Sequence, residues 1–285
     1  MVIKMKKYYP MRFAHRGLCQ HAPENTLGAF IAAVACGCEG IELDIRMSSD
    51  GEVMVVHDKT LERLSFGKQC GQICNLTKKE IMETEIPYGG NCLPHNPPVP
   101  YNETAGSNGT YTFEERIALR DFDPRVTHII TFEMFDKWFE TVKEDITVEI
   151  EFCCDGLSER MYEILSKSKN CSRYICFSGN VSTVEEMQKV FHEKGVPEGL
   201  RFGANFQRLT DEKKELVEKY EFYEIGLNDQ WYTAEDVQYL ADRGIKTFSN
   251  LGDYPEYWQS INNELKVEAF KTNYAEAYAE WVDNK

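Results

Sequence analysis

The sequence predicts an α/β fold, a single (β/α)8 barrel of the TIM type that spans residues 1–285, with a small insertion after the second strand. Short apolar runs alternate with amphipathic stretches along almost the whole chain, and this alternation is typical of a parallel sheet. Eight such strand units can be counted, which favours closure into a barrel over an open sheet. The length of 285 residues suits one barrel of about 250 residues with one insertion.

The first two units show the clearest patterns. A short apolar run at 12–14 ends at His15, and a helix is predicted over 25–36, where apolar residues recur at helical spacing. Residues 40–46 alternate apolar and charged side chains, and with the extended run at 53–57 they form the second strand region. Further strands are predicted at 146–152, 174–178, 200–205, 222–227, 245–250 and 267–273. Further helices are predicted at 77–84, 132–143, 183–194, 212–219, 233–243, 255–263 and 275–282.

Periodicity breaks down between residues 85 and 127, where proline, glycine, asparagine and serine are frequent. A structureless stretch of this length inside a compact domain is usually a functional or capping insertion. We therefore expect residues 85–127 to cap the mouth of the barrel and to select the leaving group of a substrate.

The charge and the cysteines limit the classes of partner and compartment. The formal net charge is −15, from 47 acidic and 32 basic residues, and so negative a surface repels nucleic acids and anionic membranes. No stretch approaches the roughly 18 apolar residues of a membrane span, so no integral membrane association is expected. The ten scattered cysteines and the lack of an export signal favour reduced thiols in a cytoplasmic protein. The oligomeric state stays open.

Ionisable residues follow the first three predicted strands, where the catalytic groups of such barrels lie. Clustered carboxylates repel one another unless a hard cation lies between them, and two histidines can act as an acid–base pair near neutral pH. Singly, each residue has a structural alternative, such as an ion pair between Glu42 and Arg46. Their joint placement favours phosphoryl chemistry. The residues are His15, Arg16, Glu42, Asp44, His57, Glu149 and Glu151.

Five short motifs occur in order within residues 15–58, and together they resemble the N-terminal signature of the glycerophosphodiester phosphodiesterase family. The insertion also falls where that family carries one, and weaker likeness continues to the last strand. The five motifs are His15-Arg16-Gly17, Pro23-Glu24-Asn25-Thr26, Glu42-Leu43-Asp44, Ser49-Asp50-Gly51 and His57-Asp58. Later segments that resemble the family are Thr131-Phe132-Glu133, Thr147-Val148-Glu149-Ile150, Gly226-Leu227-Asn228 and Thr272-Asn273-Tyr274.

The resemblance implies a phosphoric diester hydrolase that converts a small glycerophosphodiester to sn-glycerol 3-phosphate and an alcohol. A glycerol hydroxyl would attack phosphorus, and water would then open the cyclic phosphate. His15 and His57 would be the general acid and base, and Arg16 would bind the phosphate. The implied ligands of one Mg²⁺ or Ca²⁺ ion are Glu42, Asp44 and Glu149.

Four positions depart from the family's pattern and mark a divergent member. Glu151 stands where a lysine is usual; either Lys271 restores the positive charge, or Glu151 joins the metal, or the substrate differs. Asn250 replaces a tryptophan, with Asp253 at the place of the asparagine that follows it, which suggests a more polar or roomier subsite. Asn273 stands at the place of an aspartate.

Three alternatives compete with this interpretation. A relative of the sphingomyelinase D type would share the barrel and cyclise a lipid phosphate, but such enzymes are usually secreted. A catalytically weakened phosphodiester-binding protein is also consistent with Glu151 and Asn250, although it would not need both His15 and His57. A barrel enzyme of unrelated chemistry is the third, because the fold alone does not determine function.

Overall fold

The computed structural model describes residues 7–65, 67–86, 128–228, 230–263 and 267–285, and these form a barrel of parallel strands surrounded by helices. The strands are β1 (Met11–Ala14), β2 (Gly40–Met47), β3 (Val53–Val55), β4 (Thr147–Phe152), β5 (Tyr174–Phe177), β6 (Arg201–Gln207), β7 (Glu224–Leu227), β8 (Lys246–Ser249) and β9 (Ala269–Thr272). The predicted fold class is confirmed. Of the predicted insertion at 85–127, residues 87–127 lie outside the described residues.

The barrel closes because β1 pairs in parallel with both β9 and β2. The order around it is β1, β2, β4, β5, β6, β7, β8 and β9, each strand parallel to its neighbours. β3 is the exception, since it pairs antiparallel with the end of β2 and lies outside the closed ring. All eight barrel strands therefore direct their carboxyl ends to one mouth.

Helices connect the barrel strands, and threonine begins several of them. The Thr26 side chain accepts a hydrogen bond from the Ala29 backbone, so the first helix begins two residues after the predicted residue 25, and Thr77 forms a capping box with Glu80. The described helices are α1 (Leu27–Ala35), α2 (Glu62–Ser65), α3 (Lys78–Met82), α4 (Phe132–Phe139), α5 (Ser158–Leu165), α6 (Val181–Lys194), α7 (Asp211–Lys219), α8 (Ala234–Ala241), α9 (Pro255–Asn263) and α10 (Ala275–Asp283).

Helix α5 is missing from the sequence prediction. Its apolar residues Met161, Ile164 and Leu165 have helical spacing and are buried, but Leu157 precedes the helix and provides no side-chain cap. The start of α5 therefore lacks the polar signal that marks α1 and α3.

The inner face of the barrel changes from apolar to charged towards the mouth. Phe13 and Phe248 pack inside it with ring centroids 5.2 Å apart. A Cβ atom at Gly40 would lie 2.3 Å from the Phe13 ring, so only glycine fits beside these two rings. Between the rings and the mouth, the inner positions carry charged and amide side chains, so the mouth is polar.

Two features bear on compartment and membrane contact. The nine cysteines within the described residues are all free thiols. In the same part of the chain, no helix combines the length and the apolar character that crossing a membrane requires.

Candidate active site

A cavity of about 210 Å³ opens at the mouth of the barrel and brings together side chains from strands far apart in sequence. Five of the residues predicted as site residues line it, namely His15, Glu42, Glu151, Asn250 and Lys271. The other four, Arg16, Asp44, His57 and Glu149, do not line it. Three of these contact its walls or one another, and His57 lies apart with a side chain that is 40% exposed.

A buried chain of hydrogen bonds orients His15. Its Nδ1 lies 2.9 Å from Oδ1 of Asn273, whose backbone N and Nδ2 donate to Asp253 at 2.8 and 2.7 Å. Because the carboxylate of Asp253 can only accept, it fixes the Asn273 amide with Oδ1 towards the imidazole. His15 Nδ1 is therefore the protonated nitrogen, and Nε2 carries the lone pair.

The imidazole of His15 is neutral at physiological pH. Burial, with a further contribution from the Arg16 charge, lowers its pKa to about 3. Nε2 lies 3.9 Å from Oε2 of Glu42, on the cavity side of the ring. This nitrogen can accept a proton from a group bound in the cavity.

Arg16 is held by carboxylates rather than exposed to the cavity. It has a left-handed φ of 56°, its Nη1 donates to Glu24 at 2.8 Å, and its Nε lies 3.2 Å from Asp44 Oδ2. The Nε contact is an ion pair without hydrogen-bond geometry. Burial disfavours the charge, but Asp44, Glu24 and Glu42 outweigh it and raise the pKa of Arg16. The structure therefore places the predicted phosphate ligand behind the carboxylates.

The carboxylates of β2 have vacant oxygen lone pairs. Glu42 accepts from the Arg16 backbone through Oε2, whereas its Oε1 is buried and has no partner among the described residues. Burial and the neighbouring Asp44 raise the pKa of Glu42 well above its usual range. For Asp44, burial acts the same way, but Arg16 outweighs it and lowers the pKa. Partnerless buried carboxylate oxygens beside a second carboxylate are the donor set that a hard divalent cation prefers.

A group of potential metal ligands joins β2 to β4. Ligand atoms of Asp44, Glu151 and Cys153 lie within 4.8 Å of one another. The Cys153 thiol donates to Asp44 Oδ1 at 3.4 Å, and burial raises its pKa well above the usual range, so it remains a thiol. Burial and Asp44 also raise the pKa of Glu151. The oxygens of Asp44 and Glu151 fit a Mg²⁺ or Ca²⁺ ion, whereas a protonated sulfur does not.

Lys271 supplies a positive charge inside the barrel. Its Nζ lies 3.1 Å from Glu149 Oε1 and 3.9 Å from the centroid of the Phe177 ring. Burial opposes this charge, but the carboxylate of Glu149 outweighs it and raises the pKa of Lys271. Glu149, expected as a metal ligand, is thus the ion-pair partner of the lysine. It lies two residues before Glu151 on β4, opposite Glu42, whereas Glu151 lies opposite Asp44.

A second chain of ion pairs runs from the cavity wall to His57. Nδ1 of His57 lies 2.8 Å from Asp58 Oδ1, and Arg63 binds both Asp58 and Glu24, with Arg63 Nη1 2.8 Å from Glu24 Oε2. Glu24 also holds Arg16, so one buried carboxylate links both groups. Sequence reasoning missed Arg63, and no motif in the chain marks it.

The model of the glycerophosphoryl diester phosphodiesterase family matches residues 15–193, more than half of the chain. The chain belongs to this family.

Relatives and solved structures share parts of the glycerophosphoryl diester phosphodiesterase sequence and its fold. A glycerophosphodiester phosphodiesterase of Caldanaerobacter subterraneus is 40% identical over 72 residues, 25% of this chain and 29% of that protein. The human glycerophosphodiester phosphodiesterase 1 is 46% identical over 68 residues, 24% of this chain and 20% of that protein. The matches thus span less than a third of these relatives. The structure of a phosphodiesterase from Oleispira antarctica, in complex with the product sn-glycerol-3-phosphate, superposes with a TM-score of 0.71 at 19% identity, covering 96% of this chain and 97% of that one.

One arc of the mouth in this family member is lined by carboxamides. Asn250, at the position of the family's tryptophan, donates from Nδ2 to Asn205 Oδ1 at 2.7 Å. The cavity lining also includes Gln207, Asn228 and Gln230. Sequence reasoning missed Asn205, Gln207 and Gln230 as site residues; their one signal was their position at or after the ends of β6 and β7.

Proposed function

We propose that this chain hydrolyses glycerophosphodiesters to sn-glycerol 3-phosphate and an alcohol with the help of a divalent cation. The observation that carries the proposal is the imidazole of His15, whose Nδ1 is held by Asn273 and whose Nε2 faces a cavity lined by the carboxylates Glu42 and Glu151. A proton acceptor beside clustered carboxylates at a barrel mouth suits phosphodiester cleavage. Family membership supports the same reaction class.

His15 and His57 act as the acid–base pair in this proposal. His15 Nε2 takes a proton from the attacking hydroxyl or returns one to the leaving oxygen. His57 does the converse, since Asp58 holds its Nδ1 and leaves Nε2 for proton exchange. Each ring is fixed through Nδ1, so the two reactive nitrogens keep their orientation during turnover.

Carboxylates of β2 and β4 would hold the cation. The resemblance assigns Glu42, Asp44 and Glu149, whereas the geometry favours Glu151 as the third ligand, because Lys271 already pairs with Glu149. A bound Mg²⁺ or Ca²⁺ would offset the negative charge that builds on the phosphoryl oxygens.

Positive charge for the phosphate comes from two side chains. Lys271 lines the cavity and replaces the cation that the family carries at the position of Glu151. Arg16 keeps Glu42 and Asp44 in place, and we propose that it contacts the phosphate only through a change of rotamer. The free thiols of the described residues further support a reducing compartment such as the cytoplasm.

The test is release of sn-glycerol 3-phosphate from a panel of glycerophosphodiesters, with EDTA, Mg²⁺ or Ca²⁺. We expect cation-dependent release that falls by about 10²–10⁴ in His15→Ala, the usual contribution of a general acid or base. His192→Ala is the matched control, since His192 contacts Gln188 on α6 away from the mouth. Cation binding without release from any diester would contradict the proposal and favour a binding protein.

A further inference from the structure

The mouth of the barrel divides into two arcs of different chemistry. The ionisable residues lie on the neighbouring strands β9, β1, β2 and β4, where Lys271, His15, Glu42 and Glu151 line the cavity. The opposite arc, at the ends of β6, β7 and β8, presents uncharged carboxamides to the same cavity, namely Asn205, Gln207, Asn228, Gln230 and Asn250. The first arc serves the phosphate, so the second is available to an organic group of the diester.

Most of the hydrogen-bonding capacity of the carboxamide arc is unused. Within the residues that the structure describes, the Nδ2 atoms of Asn205 and Asn228 donate to no partner, and the side chains of Gln207 and Gln230 make no hydrogen bond. Each carboxamide offers two donor hydrogens and two acceptor lone pairs. The glycerol of a diester carries only two free hydroxyls, too few to engage this many groups.

The arc is poorly suited to a cationic amino alcohol. It offers no carboxylate among its described lining residues. Of its two lining aromatic rings, Trp231 already has the guanidinium of Arg208 5.2 Å from its centroid, and Tyr254 packs against Tyr257 with ring centroids 5.9 Å apart. A quaternary ammonium group is usually bound by open aromatic faces. Here it would meet Arg208 instead.

We infer that the carboxamide arc selects a neutral, hydroxyl-rich alcohol, such as a cyclitol or a sugar, as the head group of the diester. The inference rests on the proposed function and names its substrate class. Hydroxyls donate and accept, as carboxamides do, so a polyol pairs with both atoms of each side chain. A site built on such pairs discriminates strongly against an analogue that lacks the hydroxyls.

The experiment compares four substrates: glycerophosphoinositol, glycerophosphoglycerol, glycerophosphocholine and glycerophosphoethanolamine. We expect kcat/KM for the two polyol diesters to exceed that for the two amino-alcohol diesters by at least about tenfold. Asn205→Leu, of similar size but without hydrogen-bonding atoms, should lower the polyol rates about tenfold and leave the choline rate within about threefold. Gln238→Leu is the matched control, because it removes a carboxamide that lies on the outer helix α8. It should change none of the four rates.

Binding is measured separately, so that failure of the proposed function is distinguishable. Calorimetry on His15→Ala with Mg²⁺ should show the same preference for the polyol diesters, even if no substrate is cleaved. Equal affinity for the inositol and choline diesters, or an Asn205→Leu variant that weakens both alike, would overturn the inference while leaving hydrolysis intact. If Asn205→Leu does not fold, Gln230→Leu, whose side chain is exposed, replaces it with the same expected loss of preference.

Discussion

Asp253 accepts two hydrogen bonds from Asn273, one from its backbone N at 2.8 Å and one from Nδ2 at 2.7 Å. The family resemblance implies asparagine at the first position and aspartate at the second, so relative to that pattern the two residues are exchanged. The two departures from the pattern thus lie in one hydrogen-bonded pair. The exchange keeps the pair intact, but places an amide rather than a carboxylate against His15.

Single and double variants of this pair should behave very differently. In Asp253→Asn, two amide nitrogens would face each other, so Asn273 would turn its own Nδ2 towards His15 and force the proton onto Nε2. We expect kcat to fall about 10²-fold with little change in KM, since the base is lost. In Asp253→Asn combined with Asn273→Asp, the side-chain bond between the two positions is remade in the opposite direction. The backbone N at position 273 and Nδ1 of His15 still donate as before, so activity should return to within about tenfold of the wild type.

Nitrogen NMR of the imidazole separates this positioning role from a purely structural one. The wild type should show the Nδ1-protonated ring of His15, and Asp253→Asn the Nε2-protonated ring. A single variant that loses activity without a change of tautomer would show that Asp253 merely stabilises the loop after β8.

The third metal ligand is decided by Glu149→Gln and Glu151→Gln. Since Glu151 lies near Asp44 and Glu149 is taken by Lys271, we expect Glu151→Gln to weaken Mg²⁺ or Ca²⁺ binding at least about tenfold, the scale of one ligand-shell contact. Glu149→Gln should weaken it less. Calorimetric titration of each variant measures both affinities. The opposite order would establish the ligand set Glu42, Asp44 and Glu149 that the family resemblance implies.

The orientation of His57 should depend on Arg63. Arg63 holds Asp58 in place. Burial alone would raise the pKa of Asp58, but its contacts with His57 and Arg63 outweigh burial and lower that pKa to about 2. Arg63→Met keeps the length of the stem but removes the cation that Asp58 and Glu24 share, so kcat should fall about tenfold or more, with a loss of stability. Arg63→Lys, which retains the charge without the planar fork, should recover the stability better than kcat. Equal recovery of both would make Arg63 a structural residue alone.

The sequence predicts the barrel and much of the site because both follow from local periodicity. The strand period of two places Glu42 with Asp44, and Glu149 with Glu151, on inner faces, and parallel strands direct these faces to one mouth. Sequence cannot tell which of Glu149 and Glu151 pairs with Lys271, because that depends on the registers that connect β9 to β4 through β1 and β2.

Residues that act through distant partners escaped prediction for a related reason. Arg63 is one charged residue on a short helix. Only the folded chain shows that it joins Glu24, 39 positions away, to Asp58, 5 positions away. Asn205 lies near the end of β6, and its role becomes visible beside Asn250, 45 positions away. Long-range contacts of this kind leave no periodic signal.

Glu224 offers a last prediction, on stability and pH. Both its carboxylate oxygens are buried inside the barrel without a partner among the described residues, and burial, reinforced by Glu149, raises its pKa well above the usual range. The folded state therefore keeps a proton that the unfolded chain releases above about pH 4.3. Stability from this group is present below that pH and falls as pH rises towards the folded-state pKa, by about 1.4 kcal/mol per unit.

Glu224→Gln should remove this loss, because a neutral amide of the same shape carries no proton to release. We expect the variant to match the wild type near pH 4 and to exceed it in unfolding free energy at pH 7, measured by urea denaturation at each pH. Glu149→Gln is the contrasting control, since it strands the buried charge of Lys271 and should destabilise the protein by about 3–5 kcal/mol. A Glu224→Gln variant that is less stable than the wild type at pH 7 would mean that the carboxylate is charged in the folded barrel, where the nearby Lys271 would then be its partner.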